Sequence, residues 1–179
     1  MIKADDNFNI IEGKLNELRR QWSRFIFMNG FIRVLMLVLF VGFMISTIEG
    51  FRYFEAPVRL SILRFTVGFL IIFFLAPIIL AVLVRTNRMV SYSNMNLAKI
   101  IGQRFSEIGD RLVNGLQLYE MTQGQKSGYS LELAAYSVQT VAEDIGKYRF
   151  AEIVPWKKLR VSFIQLVIVS IVISGLVML

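Results

Sequence analysis

The sequence predicts an all-α membrane protein with three transmembrane helices and a small cytoplasmic helical subdomain. The first observation is the segment 65–84, FTVGFLIIFFLAPIILAVLV, in which twenty consecutive residues carry no charge. At 1.5 Å per residue, a helix of that length covers about 30 Å, the thickness of the hydrocarbon core of a bilayer. The second observation is that two further apolar runs flank it, residues 34–48 and 161–179. The chain is 55% hydrophobic, and its excess over an ordinary soluble domain lies in these three blocks.

The first predicted element is an amphipathic helix within residues 1–30. Five apolar residues recur at steps of four and three, which places them on one helical face: Ile11, Leu15, Leu18, Trp22 and Phe25. We favour an interfacial helix that lies among the lipid headgroups, with Trp22 as its anchor. The alternative is a short two-helix seam formed with a partner.

Residues 31–84 are predicted to form a transmembrane hairpin, with spans at about 31–50 and 60–84. The connector Glu49–Arg59 is short, and its two Arg and two Glu balance. Arg33 and Arg64 each fall near the start of a span, where a long side chain can reach the aqueous interface. We therefore expect both to be membrane-interface residues and not functional charges within the bilayer.

Residues 85–158 form the predicted cytoplasmic subdomain. Three amphipathic stretches can be read in it, Met95–Phe105, Glu107–Met121 and Leu131–Ile145. The short connection between the second and third predicts an antiparallel pair. Its expected packing residues, which also mark a candidate docking module, are Ile108, Leu112, Leu116, Val138 and Ala142.

The third span is predicted at 159–179, and its start carries the features of a membrane interface. Trp156, Lys157 and Lys158 follow Pro155 and precede the apolar run. Lys and Arg cluster before the first span, after the second and before the third, whereas the connector of the hairpin is neutral. Because cytoplasmic loops carry the excess of Lys and Arg, we expect a cytoplasmic N-terminus and an extracytoplasmic C-terminus.

The composition argues against several kinds of chemistry. The chain has no Cys and no His, which removes thiolate metal sites and the common Ser-His and Cys-His arrangements. Its glycines match neither the GxxxxGK(S/T) nor the GxGxxG spacing of phosphate-binding loops, and no EF-hand calcium-loop pattern occurs. We therefore predict no catalytic residue, no cofactor and no metal. Eleven Lys or Arg in Arg85–Arg160 are dispersed among seven Asp or Glu, so we expect no nucleic acid as partner.

Three stretches together resemble a known family: KIIGQRFSEIGDRLVNGLQLYE at 99–120, SLELAAYSVQTVAEDI at 130–145 and RFAEIVPWKKLR at 149–160. They are similar to the N-terminal region of a family of bacterial membrane proteins, domain of unknown function family 4175. Ser106 departs from the pattern, because the family often has Pro there. The resemblance implies a location in the bacterial inner membrane and a longer native protein, and it carries no activity or cofactor.

Three classes of function, all non-enzymatic, remain after these exclusions. The one we favour is an integral membrane anchor or scaffold whose cytoplasmic helical module docks other membrane or cytoplasmic proteins. The alternative is an accessory subunit of a transporter or channel complex, or a module that binds acidic lipid or nucleic acid at the cytoplasmic face. The lipid bilayer is a partner in either case, and a homo-oligomer is left open.

Overall fold

The computed structural model describes the backbone of residues 2–124 and 128–178, and the side chains of residues 6–121 and 135–176. Every regular element in this part of the chain is a helix, which confirms the predicted all-α class there. Six α-helices and two short 3-10 helices follow one another: α1 (Ile2–Arg52), α2 (Ala56–Arg85), 3-10 helix Val90–Tyr92, α3 (Asn94–Arg104), α4 (Ser106–Gly124), α5 (Gly128–Ile145), 3-10 helix Phe150–Ile153 and α6 (Trp156–Met178).

Three of these helices, α1, α2 and α6, are long and apolar enough to cross a membrane. They correspond to the three predicted spans, with different ends. Helix α6 begins at Trp156, three residues before the predicted start, because Pro155 precedes it and the Lys158 N–H bonds to the Pro155 carbonyl at 2.9 Å. The connector between α1 and α2 is only residues 53–55, so most of the predicted connector Glu49–Arg59 is helical.

The chain divides into two compact units, and α1 contributes to both. The first, which we call the helical module, consists of Met1–Ser23 and Leu83–Val154. The second, which we call the apolar unit, consists of Arg24–Val82 and Pro155–Leu179. The predicted subdomain at 85–158 thus gains a segment that the sequence analysis assigned elsewhere.

In the helical module, the first half of α1 lies in the core. Ile11, Leu15 and Leu18 are at most 1% exposed, so protein covers the stripe that was expected to face lipid headgroups. The helix also continues past residue 30, since no proline interrupts it. The prediction of a separate interfacial helix at 1–30 is therefore corrected in two respects. The helix ends at Arg52 and not at residue 30, and its apolar face packs against protein and not against lipid headgroups.

Helices α4 and α5 pack against each other as the predicted antiparallel pair. Pairs of contacting residues run in opposite chain directions: Glu107 with Tyr148, Arg111 with Asp144, and Gly115 with Ser137 and Val141. Helix α3 packs on α4 and turns back at Phe105, the single non-helical residue between them.

The apolar unit contains the second half of α1, all but the last three residues of α2, and α6. An ion pair between Glu49 and Arg59, 2.6 Å apart, closes the end of the α1–α2 hairpin. Deeper in the hairpin, Gly30 lies against Pro77, where a Cβ on the glycine would be 2.5 Å from the proline Cβ. Pro77 is thus a packing contact of α1, which its position in the sequence does not indicate.

Candidate functional site

The turn at Phe105 between α3 and α4, which we call the α3–α4 corner, is formed by hydrogen bonds that end one helix and begin the next. The Phe105 N–H donates to the Ile101 carbonyl at 2.8 Å and so ends α3. The Phe105 carbonyl accepts from the N–H groups of Ile108 and Gly109, at 3.2 and 3.1 Å, and so begins α4. One residue therefore serves both helix ends, and the direction of the chain reverses within it.

The corner holds two glycines in direct contact. A Cβ on Gly102 would lie 2.9 Å from the Gly109 Cα, closer than real Cβ atoms come to other atoms. Because the neighbouring atoms belong to the backbone, no side-chain rotation can make room. The pair fixes the distance between α3 and α4, and it was not identified from the sequence.

The predicted packing residues of the module are brought together, and most are inaccessible. Ile108, Leu112 and Val138 are fully buried, and Leu116 is 2% exposed. Ala142 differs from the other four, because it is partly exposed. These side chains form the core of the module, so any partner must contact the outer surface and not this stripe.

A cluster of charged and polar side chains joins the start of α4 to the end of α5. Asp144 accepts from Lys147 at 2.7 Å and pairs with Arg111 at 3.0 Å. Tyr148 donates its hydroxyl to a Glu107 carboxylate oxygen at 3.0 Å, and its ring lies 5.1 Å from that of Phe105. We call these five residues, Glu107, Arg111, Asp144, Lys147 and Tyr148, the α4–α5 clasp.

The clasp shifts the titration of its members. The hydrogen bond from Lys147 lowers the pKa of the Asp144 carboxyl, and the charges of Lys147 and Arg111 act in the same direction. The same hydrogen bond raises the pKa of the Lys147 ammonium. The hydrogen bond to Glu107 raises the pKa of the Tyr148 hydroxyl. The shifts favour an ionised Asp144 and a neutral Tyr148 hydroxyl at neutral pH, and these are the two groups that bond across to Arg111 and Glu107 of α4.

Arg19, one of the Lys and Arg residues that precede the first span, is a buried structural residue. Its side chain is 3% exposed and donates to the Tyr92 carbonyl at 3.3 Å, the Asn94 amide oxygen at 2.5 Å and the amide oxygen of Asn16. These bonds attach α1 to the segment that leads into α3. The sequence contains one indication that Arg19 is buried. Arg19 follows Leu15 by four residues, which places it near the apolar face of α1.

The six predicted membrane-interface residues fall in both units. Trp22 lies in the helical module, with its ring 5.5 Å from that of Tyr92. Arg33, Arg64, Lys157 and Lys158 are exposed in the apolar unit. Trp156 packs edge-on against Phe25 of α1 at 6.0 Å, so it fixes the start of α6 as well as standing near its cations.

Among the described residues, no group of three or more Cys, His, Asp and Glu side chains could hold a metal ion. No protein-family profile, curated protein or solved structure matches the chain. The physical features that bear on function are thus the apolar surface of three long helices, the packed helical module and the distribution of basic residues.

Proposed function

We propose that this protein is a non-enzymatic membrane anchor and scaffold, with three transmembrane helices and a helical module that docks other proteins. The observation that carries the proposal is the surface of α6. Over its most apolar window none of the residues is buried, and its large hydrophobic side chains are mostly half exposed or more: Val161, Phe163, Ile164, Val167, Ile168, Ile171, Val172 and Leu176. Exposed apolar area costs about 25 cal/mol per Å² in water, and a bilayer removes that cost.

The same reasoning extends to α2. Only 17% of its apolar window is buried, and Phe65, Ile72 and Ile79 are each more than half exposed. A soluble monomer seldom exposes apolar patches of this extent. Because a partner protein would have to cover all three helices, we favour insertion of the helices into a bilayer over their burial against another protein.

Orientation in this proposal follows the basic residues. Arg24, Arg85, Arg88, Lys157 and Lys158 are exposed, and each lies within six residues of a point where the chain passes between the apolar unit and the helical module. On either side of the α1–α2 connector, by contrast, Glu49 and Arg59 are paired with each other. We therefore place the module in the cytoplasm and the C-terminus outside, in a bacterial inner membrane, as the family resemblance also implies.

The docking role belongs to the module, because it has a core of its own and a polar surface. Its apolar stripes are buried among α1, α3, α4 and α5, which leaves exposed polar residues such as Asn114, Gln117 and Gln139 for recognition. A rigid helical body attached to a membrane is suited to hold another protein near the bilayer.

Membrane fractionation tests the anchor, and comparison of variants tests the scaffold. The full chain should remain in the pellet after alkaline carbonate extraction, and its release would refute the anchor. Leu112→Asp places a charge in the core and should reduce cross-linking to partner proteins while leaving the chain in the pellet. Gln103→Asp adds the same charge at an exposed position on α3 and should leave both the fold and the cross-linking unchanged, so it is the control for the added charge. Unchanged cross-linking in Leu112→Asp would refute docking by the folded module.

A further inference from the structure

A groove in the apolar unit runs between α1 and α6. It has a volume of about 390 Å³ and is lined by Met28, Ile32, Leu159, Arg160, Phe163 and Ile164. We call it the α1–α6 groove. Five of its six lining residues are apolar, and Phe163 and Ile164 remain more than half exposed beside it.

The two walls of the groove are held in place by polar and aromatic contacts. The Ser162 hydroxyl lies 3.0 Å from the Asn29 amide oxygen and donates to it. Trp156 packs edge-on against Phe25, which precedes Asn29 by one turn of α1. These contacts leave the space between Met28 and Phe163 open, so the groove belongs to the packing of α1 with α6.

One end of the groove is positively charged. Arg160 is its single charged lining residue, and it forms no hydrogen bond or ion pair with any residue whose side chain the structure describes. Lys157 precedes Arg160 by three residues and Arg24 precedes Met28 by four, so each lies one helical turn away on the same side of its helix. Residues 24–48 and 156–178 contain no Asp or Glu. The charge at this end is therefore not neutralised within α1 or α6 near the groove.

We propose that the α1–α6 groove binds an anionic phospholipid, with an acyl chain along the apolar walls and the phosphate on Arg160. The inference rests on the membrane insertion proposed above. Arg160 directly precedes the apolar run of α6, which places its guanidinium at the depth of the headgroups. A guanidinium binds phosphate oxygens in a bidentate manner, and Lys157 and Arg24 favour a headgroup with net negative charge.

Native mass spectrometry of the full chain in detergent tests the headgroup. Phosphatidylglycerol and phosphatidylcholine with identical acyl chains are added at equal concentrations. The wild-type chain should retain phosphatidylglycerol in preference, and Arg160→Gln should lower that preference about fivefold, the usual effect of one cation near an anionic surface. Arg160→Lys should keep most of it. Arg88→Gln removes a charge outside the groove and should leave the preference unchanged.

A second pair of variants tests the apolar walls. Ile164→Trp fills the groove and should reduce retention of both lipids, whereas Ile171→Trp makes the same change two turns further along α6 and should not. Equal effects of the two tryptophans, or equal effects of Arg160→Gln and Arg88→Gln, would overturn the groove. A dimer that Ile164→Trp abolishes would show that a second copy of the chain occupies it and would equally overturn the proposal. A wild-type chain that is soluble without detergent would refute membrane insertion itself, whereas an inserted chain that retains both lipids equally would refute only the groove.

Discussion

Gly102 of α3 and Gly109 of α4 bring the backbones of two helices into contact, with only 2.9 Å between a Cβ placed on Gly102 and the Gly109 Cα. Since both neighbours are backbone atoms, the approach depends on the absence of two side chains. The corner, and with it the position of α3 on the module, therefore has a specific sequence requirement.

Gly109→Ala should destabilise the helical module. The added methyl must displace a helix backbone, an overpacking effect that typically costs about 1–3 kcal/mol and exceeds the gain of about 1 kcal/mol from replacing glycine in a helix. Gly13→Ala is the matched control, because nothing lies within 4 Å of its Cβ position in α1. Unfolding of the detergent-solubilised chain in urea is measured by its susceptibility to proteolysis. The urea midpoint should fall for Gly109→Ala and stay level or rise for Gly13→Ala. A rise for both would show that the corner can relax.

Gly30→Ala should weaken the α1–α2 hairpin. The new Cβ would lie 2.5 Å from the Pro77 Cβ and 3.6 Å from its Cα, and the proline ring cannot rotate away. Gly42→Ala on the same helix has open space around it and serves as control. Cross-linking between a cysteine pair placed at Phe31 and Phe74, whose rings are 5.5 Å apart in the native hairpin, should slow only in Gly30→Ala. Equal rates in both glycine variants would contradict the close contact.

Two leucines on α4 separate burial from residue type. Leu112 is fully buried and Leu118 is 36% exposed. Replacing Leu112 by alanine removes buried methyl groups and leaves a cavity, which typically costs about 2–5 kcal/mol, whereas Leu118→Ala should cost less than about 1 kcal/mol. Trypsin should cleave at Arg111 in Leu112→Ala at urea concentrations where Leu118→Ala resists. Similar resistance of the two variants would mean that the buried stripe does not stabilise the module.

The α4–α5 clasp should make stability depend on pH in the acid range. Because the hydrogen bond from Lys147 lowers the pKa of Asp144 in the fold, its contribution is present above the unfolded value of about 3.9 and is lost as the pH falls through the lower folded value. The stability difference between wild type and Asp144→Asn should therefore be largest near neutral pH and vanish in strong acid. Asp110→Asn, at an exposed carboxylate on α4, should show a smaller difference. A wild-type advantage that persists in strong acid would exclude the clasp as its cause.

Much of the architecture follows from hydrophobic periodicity. The runs at 34–48, 65–84 and 161–179 predicted the three long helices, and the spacing of Leu112, Leu116 and Val138 predicted the buried pair α4 and α5. Periodicity reports which face of a helix is apolar and how long the helix is.

Periodicity does not report whether lipid or protein covers an apolar face. The predictions from the sequence differ from the structure where that covering decides the outcome. The stripe of Ile11, Leu15 and Leu18 has the same pattern whether lipid or protein covers it, and in the structure it is protein. Close backbone contacts that require the lack of a side chain, such as Gly102 with Gly109, leave no pattern in a single sequence. The charge of Arg19 does not indicate that the side chain is buried, because its burial depends on acceptors more than seventy residues away at Tyr92 and Asn94.

Cysteine accessibility in intact cells tests the central claim, a membrane-inserted chain with its helical module in the cytoplasm. The sequence has no cysteine, so Glu55→Cys in the hairpin connector and Glu120→Cys on the exposed face of α4 each give a single label site. An impermeant maleimide should modify Glu55→Cys directly and Glu120→Cys only after the membrane is permeabilised. Labelling of Glu120→Cys in intact cells, with Glu55→Cys protected, would contradict the account.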